Sequence, residues 1–213
     1  MNNPMNGFFV TGTDTGVGKT VLSALLVAAL DGMYWKPVQT GSIEGTDCNS
    51  VRLWAACPEE RLLTERYCFE PAVSPHLAAC EAGVRIALDA FELPVQQADR
   101  PYIVEGAGGV MVPLNEQDLM LDLMRRLGLP VVIAARTSLG TINHTLLTLA
   151  ALRGAHLNVH GVVLIGKKNT ENRCAIEHYG NVRVIGYIPL LEKIHRAALL
   201  EVFKKHFDPL AFR

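Results

Sequence analysis

Near the start of the chain stands VTGTDTGVGKT, in which Gly12, Gly16 and Gly18 precede Lys19 and Thr20. These residue types suit a phosphate chain. Glycines let backbone N–H groups turn inward, a lysine meets the outer phosphates, and a hydroxyl holds Mg2+. Compared with the common G-x-x-x-x-G-K spacing the loop carries one residue too many, because Thr13, Asp14, Thr15, Gly16 and Val17 all lie between Gly12 and Gly18. The physical requirements still hold: an apolar strand leads in, and an apolar helix follows whose N-terminal dipole favours bound phosphate. The plain alternative is a glycine-rich strand-to-helix turn with a solvated lysine.

Three further charged residues stand where chemistry could use them. Glu105 closes the β-branched run of YIVEGAGG. A carboxylate beside a buried sheet is costly unless a cation lies close by, and the Mg2+ that Thr20 would hold is one candidate. YWKPVQTGS ends a strand at Lys36 and adds Thr40, and TDCNS supplies Asp47 near the start of a helix. Each has an ordinary reading as well: Glu105 as a turn residue, Asp47 as a helix cap, and Lys36 as a snorkelling surface lysine.

The elements that must position these residues alternate. GFFVT, MYWKPV, PYIVEG, LPVVIAA, VHGVVLIG and VRVIGYIP are apolar, β-rich runs bounded by Gly or Pro. Helical patterns lie between and after them: KTVLSALLVAALD, DCNSVRLWAA, a long segment over 75–98, QDLMLDLMRRLG, INHTLLTLAALRGA and NTENRCAIEHYG. Strands apolar on both faces and separated by helices predict a single α/β domain over 1–213, a mostly parallel β-sheet flanked by helices on both faces. In such sheets ligands bind beyond the carboxyl ends of the strands, and the polar clusters above follow strands of this kind.

Composition narrows the classes. With 49% hydrophobic residues in 213, the chain can bury a sizeable core without disulfides or metals. A formal charge of −1 gives no electrostatic case for nucleic acid or a membrane surface. Cys48, Cys57, Cys68, Cys80 and Cys174 are widely spaced and form no C-x-x-C pair, so reduced thiols in a cytosol are expected. MNNPMNGFFV has no basic, apolar leader, and no later apolar run spans a bilayer, which predicts a soluble, cytoplasmic protein. His156 and His160 straddle a turn into a strand and make a poor ligand pair.

Together, GTDTGVGKT, KPVQTG, SPH, VEGAGG and LGTINH occur in the order found in dethiobiotin synthetases, and the chain resembles that family over roughly residues 8–190. The family's phosphate loop also carries the extra residue. The resemblance implies a homodimeric, P-loop NTPase-like enzyme of biotin biosynthesis. It would use Mg-ATP and CO2, or bicarbonate as its source, to close 7,8-diaminononanoate into a cyclic urea. The amine captures CO2 as a carbamate, ATP phosphorylates it, and the second amine displaces phosphate.

By that resemblance Lys19 binds the β- and γ-phosphates, and Lys36 stabilises the transferring group between carbamate and γ-phosphate. Thr20, Asp47 and Glu105 hold Mg2+. Thr15, Gly16, Val17, Gly18, Val21, Gly106, Ala107 and Gly108 follow the nucleotide, and Ile188, Pro189 and Leu190 match a base-contact region. Thr40 meets the diamine or carbamate end. Ser74, Pro75, Gly109 and Val110 shape the substrate pocket, and His76 is not expected to be a base. Thr141, Ile142 and Asn143 open a helix whose N–H groups suit the substrate carboxylate, reaching across the dimer; Asn143 could equally be an ordinary helix cap.

One position departs from the family. Ile165 stands where dethiobiotin synthetases commonly have an asparagine on the base, and Asn169 or Asn172 could substitute only if the following loop folds back. Weak base discrimination is the expectation. Two other functions fit the loop alone. One is another P-loop amide ligase, such as a cofactor a,c-diamide synthetase-like domain, which would need an ammonia source. The other is a ParA-like switch ATPase, which would favour a lysine at the loop's start, where Val10, Thr11 and Gly12 stand instead.

Overall fold

The computed structural model describes residues 7–94 and 100–212. Strand β1 (Gly7–Gly12) is buried at every position and forms the middle of a seven-stranded sheet. The other strands are β2 (Met33–Trp35), β3 (Val38–Gln39), β4 (Leu62–Leu63), β5 (Tyr67–Cys68), β6 (Tyr102–Gly109), β7 (Val131–Arg136), β8 (Val159–Ile165) and β9 (Val184–Ile188). The sheet runs β4-β2-β6-β1-β7-β8-β9, and its paired strands are parallel throughout. β3 and β5 pair separately, also in parallel.

The helices are α1 (Lys19–Leu30), α2 (Asp47–Ala55), α3 (Pro75–Glu81), α4 (Met120–Leu127), α5 (Thr141–Gly154), α6 (Thr170–Gly180) and α7 (Arg196–His206). Alternation along each strand sends side chains to opposite faces, so two cores form. Phe9, Val104, Val131 and Ile133 pack with Leu123 of α4, Leu149 of α5 and Ile176 of α6. Val10, Ile103 and Val132 pack with Leu22 and Leu25 of α1, Val51 of α2 and Leu199 of α7. Helix α1 has buried residues on nearly every side, from Leu22 to Ala28, because the sheet, α2 and α7 enclose it.

Two expectations need correction. The helix expected over 75–98 stops at Glu81, and the run includes residues 95–98, which lie outside the described set. Gly83 closes it with φ of +65°, and Val84 N–H reaches back to the carbonyl of Ala79, a Schellman-type end that glycine accommodates. Glu105 does not end its strand. β6 continues through its glycines to Gly109, with an irregular pairing to β1 between Val10 and Gly12. Helix α7 was not expected at all.

Candidate active site

The loop after β1 delivers Lys19 and Thr20 to the carboxyl edge of the sheet, where β1 lies between β6 and β7. Gly18, just before α1, has φ of 100°. A Cβ there would also come within 3.0 Å of Ile165 Cδ1, so both backbone and space demand glycine. Lys19 Nζ donates to the carbonyl of Asp14 at 3.1 Å, folding back over the loop. Burial pulls its pKa down to about 8, and the nearby Lys36 adds to the shift.

Strand β2 ends at Trp35, opposite Val104 of β6, so the next residues, Lys36 and Glu105, meet side by side. The Lys36 ammonium lies 3.2 Å from Glu105 Oε1 and 2.7 Å from Asp47 Oδ2, and it donates to the carbonyl of Gly106 at 3.2 Å. Burial would strip Lys36 of its charge, but Glu105 and Asp47 outweigh it and raise the pKa above the ordinary value. Burial likewise opposes ionisation of Asp47, yet Lys36, Thr20 and Lys19 together hold its carboxyl below the usual range. Thr20 Oγ1 is 2.7 Å from Asp47 Oδ1 and 3.0 Å from Glu105 Oε1, and its single proton can go to one of them at a time. Asp47 opens α2, behind an N-cap Thr46 whose hydroxyl accepts from Asn49 N–H.

This convergence suits Mg2+. Two carboxylates and a hydroxyl aim hard oxygen donors at one place, and a cationic ammonium already sits on both acids. Two carboxylates and one hydroxyl are a sparse donor set, of the kind that Mg2+ would complete with waters and phosphate oxygens.

A cavity of about 370 Å³ joins Thr15, Gly16, Gly18, Lys19, Thr20, Val21, Lys36, Thr40, Asp47, Glu105, Ala107 and Gly108. A neighbouring one of about 460 Å³ shares Gly16 and Gly18 and adds Val17, Ile165, Asn169 and Leu190. A third, about 300 Å³, brings Thr15, Gly109 and Val110 to His144 and Leu147 of α5. Thr141, Ile142 and Asn143 sit in the first turn of α5, outside these linings, and the residue before the helix is Gly140 rather than Asn143. Ser74 and Pro75 begin α3, with Ser74 Oγ 3.1 Å from His76 Nδ1. Ile188 is buried in the core below Pro189.

Three polar residues at the site were not expected. Tyr34 O–H donates to Glu105 Oε2 at 3.0 Å, Gln39 Oε1 accepts from Asp47 N–H at 3.0 Å, and Arg136 donates to the carbonyl of Thr15 at 2.7 Å. Arg136 was visible as a cation closing an apolar strand. Tyr34 and Gln39 sit within or beside apolar runs and read as core. Asn169 caps α6 by accepting from Asn172 N–H, and Asn172 donates to the carbonyl of Thr137.

A family model described as an AAA domain matches residues 6–198. An ATP-dependent dethiobiotin synthetase of Paramagnetospirillum magneticum is 51% identical over 195 residues, 92% of this chain and 93% of the relative. The chain belongs to the dethiobiotin synthetase family. A dethiobiotin synthetase of Rhodopseudomonas palustris is 46% identical over 203 residues, 95% of each chain. Solved structures share the fold alone. A ParA family ATPase of Chlorobium tepidum aligns with a TM-score of 0.53 at 13% identity, covering 95% of this chain and 94% of that one. Chloroplast FtsY of Physcomitrella patens aligns at 0.55 and 14%, covering 100% and 65%. Dethiobiotin synthetase relatives at this identity favour the ligase over a nucleotide switch.

Proposed function

We propose that this chain makes dethiobiotin from 7,8-diaminononanoate, CO2 and ATP, with a single domain carrying the phosphate loop and both carboxylates. The observation that carries it is the buried Lys36 ammonium, held within 3.2 Å of both Glu105 and Asp47 beside the phosphate loop. Phosphoryl transfer between two anions needs charge neutralisation and alignment more than a nucleophilic side chain. Lys19 would grip the β- and γ-phosphates. Lys36, kept cationic by its acidic neighbours, would face the transferring group. A carbamate oxygen attacks the γ-phosphorus and ADP leaves. The second amine then attacks the carbamoyl carbon, loses its proton, and expels phosphate as the ring closes.

Thr20, Asp47 and Glu105 would hold Mg2+, which supplies charge neutralisation to the phosphate oxygens when bound. Thr40 would meet the diamine or carbamate, and the cavity beside Gly109 and Val110 would take the aliphatic chain. The Thr141–Asn143 turn would receive the substrate carboxylate from a second copy. Met111 and Leu147, both exposed, line the cavity beside Gly109, and exposed Leu139 lies two residues before α5; these apolar side chains support a homodimer. Among the described residues no helix is long and apolar enough to cross a membrane.

ADP release measured with and without diaminononanoate and bicarbonate tests this reading. Release that depends on both substrates is expected, and equal release without them would point to a free-running ATPase instead.

A further inference from the structure

Glu105 is 1% exposed, and its two oxygens have different duties. Oε1 faces Thr20 Oγ1 and the Lys36 ammonium, the side on which metal and phosphate would lie. Oε2 points the other way, to the phenol of Tyr34 at 3.0 Å. Register explains the reach. Tyr34 of β2 stands opposite Ile103 of β6, and both side chains enter the same core, on the α1 side of the sheet. Glu105, two residues beyond Ile103, lies on the same face.

Tyr34 has no solvent exposure and belongs to the buried apolar cluster that also holds Val10, Leu22, Leu26 and Ile103, where an unpaired hydroxyl would be costly.

We propose that Tyr34 is a positioning residue. Its phenol fixes the rotation of the Glu105 carboxylate so that Oε1 is presented to the metal and phosphate, and it touches neither of them itself. A carboxylate free to turn about its last torsion would share Oε1 and Oε2 between the site and the core. Outer partners of this kind commonly set the affinity of the ligand they orient. The inference rests on Glu105 being a metal-holding carboxylate.

The test uses the full chain with a non-hydrolysable ATP analogue and Mn2+ as probe, reading free Mn2+ by electron paramagnetic resonance, with circular dichroism melts on every variant. Tyr34→Phe keeps the ring and removes only the hydroxyl. It is expected to weaken Mn2+ binding on the order of tenfold, with excess Mg2+ restoring turnover. Glu105→Gln is expected to weaken binding at least as much, and adding Tyr34→Phe to it should cost nothing more, because the phenol acts through the carboxylate. Wild-type Mn2+ affinity in a folded Tyr34→Phe variant, or a fully additive loss in the double variant, overturns the positioning role. Wild-type affinity in Glu105→Gln overturns the metal assignment itself. If Tyr34→Phe melts early, its Mn2+ affinity is read below the melt, and a lowered melting temperature with unchanged affinity marks Tyr34 as merely structural.

Discussion

At the scale of single residues, the distribution of charge around Lys36 separates binding from chemistry. Lys19 folds back over the loop onto the Asp14 carbonyl, where it would meet the phosphates of the proposed nucleotide, whereas Lys36 is anchored across Asp47 and Glu105. Lys36→Gln is therefore expected to leave nucleotide binding largely intact while lowering kcat by about 10²-fold, the scale of removing one electrostatic stabiliser of a transition state. Calorimetric titration beside steady-state kinetics checks this, and equal losses of binding and turnover would contradict it. At the end proposed for the base, Ile165 offers no hydrogen bond and the side chains of Asn169 and Asn172 already cap α6 and tie down Thr137. What Asn169 retains is its amide donor, and every nucleobase presents an acceptor, so that donor discriminates little. kcat/KM for ATP, CTP, GTP and UTP should agree within about a hundredfold. A larger preference for ATP needs ~2.7 kcal/mol of selective contact that these side chains do not supply.

Elements explain both the stability of the scaffold and the limits of reading it from sequence. The carboxyl-terminal segment docks on the sheet through His160, whose Nε2 lies 2.6 Å from the carbonyl of Ala211 and whose ring packs on Phe8 and Phe212. Burial, aided by Arg183, lowers the His160 pKa below its ordinary 6.5, against the pull of the Ala211 carbonyl. Between that lowered value and 6.5 the unfolded chain binds more protons than the folded one, so stability rises with pH through the window and is lost as pH falls. The melting temperature should drop as pH falls below the ordinary histidine value of 6.5, and His160→Gln should flatten that slope; an unchanged slope in the variant would assign the acid sensitivity elsewhere.

Most strands, and helices such as α1, α2 and α5, were legible because Gly or Pro bounds each apolar run and the period changes between runs. Helix α3 was overextended because the composition beyond Gly83 stays helix-forming, and only a backbone in the left-handed region ends it. Helix α7 carried a signal, with Leu199, Val202 and Phe203 at helical spacing behind an N-cap His195, that went unread. In the site, charged residues at strand ends stood out. Tyr34 and Gln39 did not, since a tyrosine in an apolar strand reads as core until a register places its hydroxyl on a carboxylate.

For the whole molecule, the cavity beside Gly109 and Val110 that is proposed for the substrate is also lined by Met111 and Leu147, large apolar side chains left exposed on one chain, with exposed Leu139 two residues before α5. A second copy covering that surface would bury them and bring its α5 N-terminus to the substrate. Leu147→Glu is expected to shift the protein toward monomer in sedimentation and to raise KM for diaminononanoate more than KM for ATP. A monomeric variant with wild-type kinetics would show that one chain completes the site alone. The central claim is that this constellation joins CO2 to the diamine at the expense of ATP. It is tested most directly by supplying diaminononanoate, ¹³C-bicarbonate and Mg-ATP and weighing the product. The account predicts dethiobiotin carrying a single label in its ring carbonyl, formed together with ADP and phosphate in equal amounts; folded protein that yields no labelled dethiobiotin would contradict it.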